Sequence, residues 1–240
     1  MAIPGRPMKY GNFGNGNKLG ESKRPDATKV RFLDYLALCH LAMNIPEGIN
    51  DLVKEVPEFL DTEECQRVIA LAHSHGFHDA TINDASGGQL RPDIRNNERV
   101  IFDDEALAEE LWLKIEPHAK AMRFGSLAVG LNERFRIYRY KPGHFFDWHQ
   151  DGVFERENRV SSRFTLLIFL NTGFEGGGTS FSAVLSPYIF DDFTLSPQQG
   201  KALVFFHPIS HRGDVVSAGE KYMLRTDIMY SPAPEAASNP

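Results

Sequence analysis

The sequence predicts an α+β fold, with helices in its first half and an antiparallel β unit in its second. Three observations predict it. Apolar residues recur at helical spacing in stretches that all lie before residue 125. From about residue 130 the chain breaks into short runs rich in aromatic and β-branched residues, with Gly, Pro, Asp and Ser at the joins. Hydrophobic residues make up 42% of the 240, with 18 Phe among them, enough for one sizeable aromatic core.

Residues 1–27 are rich in Gly, Asn and Lys and are expected to form a flexible segment. A single domain is expected over 28–232, with a helical lead-in at 28–125 and the β core at 126–232. The Pro/Ala/Ser-rich end, 233–240, is expected to be a disordered tail. Within the lead-in, "VRFLDYLALCHLAMN" (29–43) reads as an amphipathic helix, and "DLVKEVPEFL" as a strand or extended arm. In "DTEECQRVIALAHSHGF", Asp61 followed three residues later by Glu64 is a capping-box start, and Gly76 is a stop. Residues 83–100 are polar and rich in Asn, Arg and Gly, which predicts a long loop. "DDEALAEELWLKIEPHAKAM" predicts another helix, starting near Asp103 or Asp104 and broken around Pro117. Strands follow at "RFRIYRY", "RFTLLIFLN", "TSFSAVL", "GKALVFFH" and "KYMLRTDIMY", a pattern that indicates an antiparallel sandwich or barrel.

Composition narrows the function classes. A net charge of -6 and a pI near 5.8 give no electrostatic reason to expect nucleic acid or an acidic membrane as partner. Two scattered cysteines, Cys39 and Cys65, make no disulfide framework, and no apolar run has the length of a signal or a membrane span. A soluble protein of the cytoplasm is expected. Composition does not determine its oligomeric state.

The chemistry-bearing stretch is "RYKPGHFFDWHQDGVFE" (139–155). Side chains two apart on an extended segment share a face, so His149 and Asp151 can reach one ion together. "FFHPISHRGDVV" offers His207 or His211 as a third ligand from another strand. Two histidines and one carboxylate leave the far side of an ion open, the arrangement of non-haem Fe(II) oxygenases.

Taken in order, "YRYKPGHFFDWHQDG", "SRFTLLIFLN", "FEGGGTSF" and "LSPQQGKALVFFHPISHRGDVVSAGEKYMLRTDIMY" resemble the catalytic core of the Fe(II)/2-oxoglutarate-dependent dioxygenases, specifically the prolyl 4-hydroxylase-like branch. The resemblance runs over roughly 130–230, and "VPEFLDTEECQRVIALAHSHGF" resembles the helical lead-in of that branch. It implies a double-stranded β-helix (jelly-roll, cupin-like) core with N-terminal helices before and beside it. It implies metal ligation by His149, Asp151 and His211, with Fe(II), 2-oxoglutarate and O2 as cofactor and co-substrates and ascorbate as reductant.

A buried co-substrate carboxylate needs a cation. The resemblance places one ten to fifteen residues after the distal histidine, where Lys221 and Arg225 both stand on one face of the last strand. Collagen-type spacing favours Lys221; fork geometry and the strand centre favour Arg225, slightly the stronger reading. Tyr140 matches a tyrosine that in related hydroxylases hydrogen-bonds the same carboxylate. Tyr138 is its same-face neighbour, and Thr165 with Leu167 lies on the strand that lines the pocket. Gly176, Gly177 and Gly178 predict a tight strand-to-strand turn, and Trp148, between the ligands, should face away into packing.

The implied reaction hydroxylates an unactivated C–H, releasing succinate and CO2. The carboxylate at Asp151 favours hydroxylation over the halogenation of relatives that lack it. A prolyl residue in a protein or peptide is the first expectation for the substrate, a free amino acid or other small molecule the second. A non-catalytic cupin-like metal or ligand-binding protein is the reading from another class, and "GEKYMLR" argues against it. The loop over 83–100, with Arg95, Asn96 and Asn97, and the stretch "SAVLSPYIFDDFTLSP" are expected to cover the site.

Overall fold

Asp61 starts the first helix as its spacing predicts: its carboxylate accepts from the Glu64 N–H at 2.8 Å, and the Glu64 carboxylate accepts from the Asp61 N–H at 2.9 Å. The computed structural model describes residues 52–84, 87–121, 126–182 and 192–232. The helix expected over 29–43, the segment 1–27 and the tail 233–240 lie outside the described residues.

The lead-in contains β1 (Val53–Val56), α1 (Thr62–His75), β2 (His78–Asp79), β3 (Ile82–Asp84), β4 (Gly87–Gln89), β5 (Glu98–Asp103) and α2 (Glu105–Ala121). The β core begins with β6 (Ala128–Leu131), β7 (Arg134–Tyr140), β8 (Phe146–His149), β9 (Ser161–Phe169), β10 (Glu175–Gly176) and β11 (Thr179–Ser182). It ends with β12 (Phe193–Leu195), β13 (Ala202–Phe206), β14 (Ser210–Gly213), β15 (Val216–Ala218) and β16 (Lys221–Tyr230).

Two expectations are corrected. The stretch 83–100 is not one long loop: β3 pairs with β4, and β5 pairs with both β2 and β7. The helix at Asp104 is not broken at Pro117, which sits inside α2. Pro117 lacks the N–H that the Leu113 carbonyl would accept, and Leu113 is an exposed residue, on the solvent side of the helix. The start is as expected, with the Asp104 carboxylate accepting from the Leu107 N–H at 2.9 Å.

All strand pairs are antiparallel, and they form two main sheets. The larger runs β1-β13-β9-β16-β7-β5-β2, with β6 also on β16; the smaller runs β12-β11-β14-β8. The larger sheet is covered on both faces. On one, Phe135, Ile137, Leu166, Ile168 and Leu224 pack with Leu111 and Ile115 of α2 and Val68 of α1. On the other, Tyr138, Tyr140, Leu167, Phe169, Phe205 and Met223 pack with Phe181 of the smaller sheet. Burial on both faces is why "FTLLIF" is an unbroken apolar run and not an alternating one. The two facing sheets are the double-stranded β-helix that the motifs imply. Among the described residues no helix is long and apolar enough to cross a membrane.

Candidate active site

The larger sheet's inward face carries polar residues at one set of alternate positions along its central strands. Register makes them neighbours. On β16, Lys221 lies opposite Tyr140, Met223 opposite Tyr138 and Arg225 opposite Arg136 of β7. Across the other edge of β16, Arg225 meets Leu167 and Asp227 meets Thr165 of β9. The smaller sheet supplies the facing wall, where His211 of β14 lies directly opposite His149 of β8.

His149, Asp151 and His211 converge, with one ligand atom from each lying within 4.8 Å of the others. The His149 Nδ1 stands 2.8 Å from the Asp147 carbonyl and the His211 Nδ1 3.0 Å from the Ile209 carbonyl. Donation to those carbonyls leaves each Nε2 with its lone pair, 4.0 Å and 3.6 Å from the Asp151 carboxylate. Burial, reinforced by His211, drives the His149 imidazole down to about 3, and burial lowers His211 likewise. Burial works to raise Asp151, but Arg225 and the two histidines hold its carboxyl below the usual carboxylate range. Two neutral imidazoles and one ionised carboxylate are the protonation states that a divalent cation requires. The donor set fits Fe(II), with ligands on one side only.

His207, the other candidate ligand, is fully buried and turned elsewhere: its Nε2 faces Asp227 at 3.6 Å. Its main chain still serves the site, since the His207 carbonyl accepts from the Asp151 N–H at 3.1 Å. Thr165 donates to the second oxygen of Asp151 at 2.5 Å, so it orients the carboxylate. Trp148 points away from the ligands as expected, but to the surface and not into packing. It is 36% exposed, with the Arg212 guanidinium over its ring at 4.9 Å.

The two candidate anchoring cations occupy different places. Arg225 lies against the metal donors, 3.0 Å from Asp151 and 3.1 Å from Asp227. Lys221 is fully buried at the other end of the inward face. Its Nζ donates to the Gly177 carbonyl at 2.6 Å and sits 4.6 Å from the centre of the Tyr140 ring. Burial takes its ammonium down to about 7, opposed by Asp214. The glycine turn makes room for it: Gly177 has φ +65°, and a Cβ there would come within 3.0 Å of the Lys221 Cδ. A small cavity runs from the triad and Arg225 to Tyr140, lined also by Tyr138, Leu167, Thr179 and Met223, and Lys221 adjoins it only through the Tyr140 ring. Thr179 was not singled out from the sequence, although its place directly after the glycine turn was a usable signal.

Residues 135–226, the strands that build this site, match the family model described as the 2OG-Fe(II) oxygenase superfamily. No curated protein sequence matches. Solved structures with the same fold include a viral collagen prolyl hydroxylase from Paramecium Bursaria Chlorella virus-1, as its 2OG complex. It is 22% identical with a TM-score of 0.54, over 76% of this chain and 99% of that one. A Pseudomonas putida prolyl-4-hydroxylase is 17% identical with a TM-score of 0.52, over 75% and 92%. A Trichoplax adhaerens prolyl hydroxylase, in complex with a hypoxia inducible factor oxygen degradation domain peptide fragment, is 16% identical with a TM-score of 0.55, over 85% and 94%. Residues 135–226 thus match the same family that the motifs resemble, and the chain shares its fold with solved prolyl hydroxylases.

Proposed function

We propose that this chain is a 2OG-Fe(II) oxygenase that hydroxylates an unactivated C–H bond, using O2 and releasing succinate and CO2. One observation carries the reading. A triad of metal donors in metal-ready protonation states stands across from a sheet face that carries a buried lysine with no carboxylate in ion-pair contact among the described residues. When bound, Fe(II) supplies the oxidising centre at which 2-oxoglutarate is decarboxylated.

The chain's own residues do the rest. His149, Asp151 and His211 hold the ion, and Thr165 keeps the Asp151 carboxylate turned toward it. Lys221 is the better candidate for the far carboxylate of 2-oxoglutarate, with Tyr140 and Thr179 beside it. Arg225 is already engaged by Asp151 and Asp227. Leu167, Phe205 and Met223 keep that end dry, which strengthens the attraction between a carboxylate and the ammonium.

For the substrate, a prolyl residue in a protein or peptide is the reading that the prolyl hydroxylase neighbours support. A free amino or organic acid is the second reading, and the arginines around the mouth of the site favour it. Incubation with Fe(II), ascorbate and labelled 2-oxoglutarate, first without and then with air, tests the class. Oxygen-dependent succinate that disappears in His149→Ala and Asp151→Ala is the expected result. Its absence across peptide and small-molecule substrates would refute the proposal.

A further inference from the structure

Beside the triad lies a second and larger cavity, of about 500 Å³, whose wall is markedly cationic. Arg95, Arg99, Arg136 and Arg225 all line it, against only two carboxylates, Asp151 and Asp227. Asp151 is a metal donor. Asp227 is shared by Arg225 at 3.1 Å and Arg136 at 3.7 Å. Among the described residues Arg95 and Arg99 have no carboxylate partner: Arg95 Nε donates to Asn97 at 2.7 Å, and Arg99 donates to Thr81 at 2.8 Å.

The wall is built, not incidental. Arg95 is only 5% exposed, with its guanidinium over the rings of Phe146 at 4.2 Å and Tyr138 at 4.7 Å. One bridge of β pairing ties its backbone to Phe146. Two aromatic faces and a hydrogen bond hold the fork still, while its Nη2 is buried without a partner. The Arg136 Nη1 and the Arg225 Nε are buried without hydrogen bonds as well. Two such donors with no acceptor, and a third on Arg136 that has only its 3.7 Å ion pair with Asp227, are costly unless something enters to accept from them. Burial and the neighbouring Arg95 also push the Arg99 guanidinium down, as a crowd of like charges should. A neutral prolyl ring has no group that meets these donors. A planar oxyanion does, and guanidinium forks bind one bidentately.

We infer that the hydroxylated substrate carries an oxyanion, carboxylate or phosphate, that docks on Arg95, Arg99 and Arg136 beside the metal triad. The inference rests on the oxygenase reading and narrows its substrate class. The oxyanion belongs either to a small acid or to an acidic side chain adjoining the hydroxylated residue of a peptide.

The test uses the full chain loaded with Mn(II) and saturating 2-oxoglutarate without oxygen, so that the co-substrate's own carboxylates are already placed. Thermal shift and calorimetry are read against free amino acids, short dicarboxylates, inorganic phosphate and a Glu-Pro-Glu peptide. Each acid is paired with its neutral amide, and the peptide with Gln-Pro-Gln. We expect at least one oxyanion to bind in a salt-sensitive way while its neutral partner does not. Which arm binds identifies the source. Arg95→Gln and Arg99→Gln should each weaken that binding at least tenfold and leave 2-oxoglutarate affinity unchanged, which also reports that they fold. Arg99→Lys, which keeps the charge without the fork, should fall between. Neutral and anionic probes binding alike, no probe binding, or Arg99→Gln binding as wild type would overturn the inference. If Mn(II) and 2-oxoglutarate themselves fail to bind, it is the oxygenase reading that falls.

Discussion

Replacing Lys221 by methionine should make the unliganded protein more stable while removing its hold on 2-oxoglutarate. Burial carries the Lys221 ammonium from its ordinary 10.5 to about 7. At ~1.4 kcal/mol per pH unit, keeping that side chain buried costs roughly 5 kcal/mol below pH 7. Methionine fills similar space without charge, but the Gly177 carbonyl loses the donor now 2.6 Å away, at a cost of about 2 kcal/mol. The net gain at pH 6 is then roughly 2–3 kcal/mol, or about 5–10 °C in Tm for a domain of this size.

The sign with pH follows from proton counts. Between about 7 and 10.5 the unfolded chain binds the Lys221 proton and the folded chain does not. Wild-type stability therefore rises with pH across that window, and Lys221→Met lacks the slope. By pH 9 the lysine's remaining cost is roughly 2 kcal/mol, which the lost hydrogen bond cancels, so the two proteins should melt together. Melting curves at pH 6, 7.5 and 9, with and without Mn(II) and 2-oxoglutarate, measure all of this. A variant less stable at pH 6, or a difference that does not change with pH, would refute the reasoning. Ligand stabilisation in the wild type alone is the expected accompaniment.

Gly177→Ala puts a Cβ at φ +65° within 3.0 Å of both Lys221 and Val216. The conformation alone costs about 1–2 kcal/mol, so Tm should fall by several degrees and 2-oxoglutarate affinity more than tenfold, by calorimetry. Thr165→Val removes the 2.5 Å donation to Asp151; Mn(II) affinity should drop by about 10–100-fold with little change in 2-oxoglutarate affinity at saturating metal. Asp61→Ala breaks the capping box of α1; about 1 kcal/mol should be lost, or roughly 2–4 °C in Tm, with turnover unchanged.

What was legible followed from how many independent constraints met at a residue. The capping box of α1 and the run of β16 each satisfied local propensity and tertiary pattern at once, and both stand where the sequence predicts. The convergence of His149, Asp151 and His211 was legible because a ligand set demands residue types and spacing together. Strand β5 was missed for a physical reason: its partner-facing Val100 and Phe102 are buried, but its other face lines a polar cavity with Arg99, so the alternation reads as a charged loop. Pro117 misled because its missing hydrogen bond falls on the solvent side of the helix, beside the exposed Leu113. The choice between Lys221 and Arg225 lay beyond periodicity altogether. Both occupy the same face of one strand, so no alternation rule separates them.

Depth along the strand separates them instead. Four residues of strand put the two backbones roughly 13 Å apart, and the metal donors lie at the Arg225 end. A guanidinium there faces two opposing demands, since the Asp151 oxygen that it holds at 3.0 Å is one that an ion would also claim. An ion held by the triad would compete with Arg225 for Asp151, whereas the contact of Arg225 with Asp227 lies outside that competition. Lys221 experiences none of this competition. Its surroundings are the Gly177 carbonyl and the Tyr140 and Phe169 rings, with the Asp214 carboxylate acting on it from beyond ion-pair distance. One alternating strand thus presents two cations at two depths, Arg225 beside the triad and Lys221 away from it. The same periodicity that hid the difference between them in the sequence is what sets them at two depths in the fold.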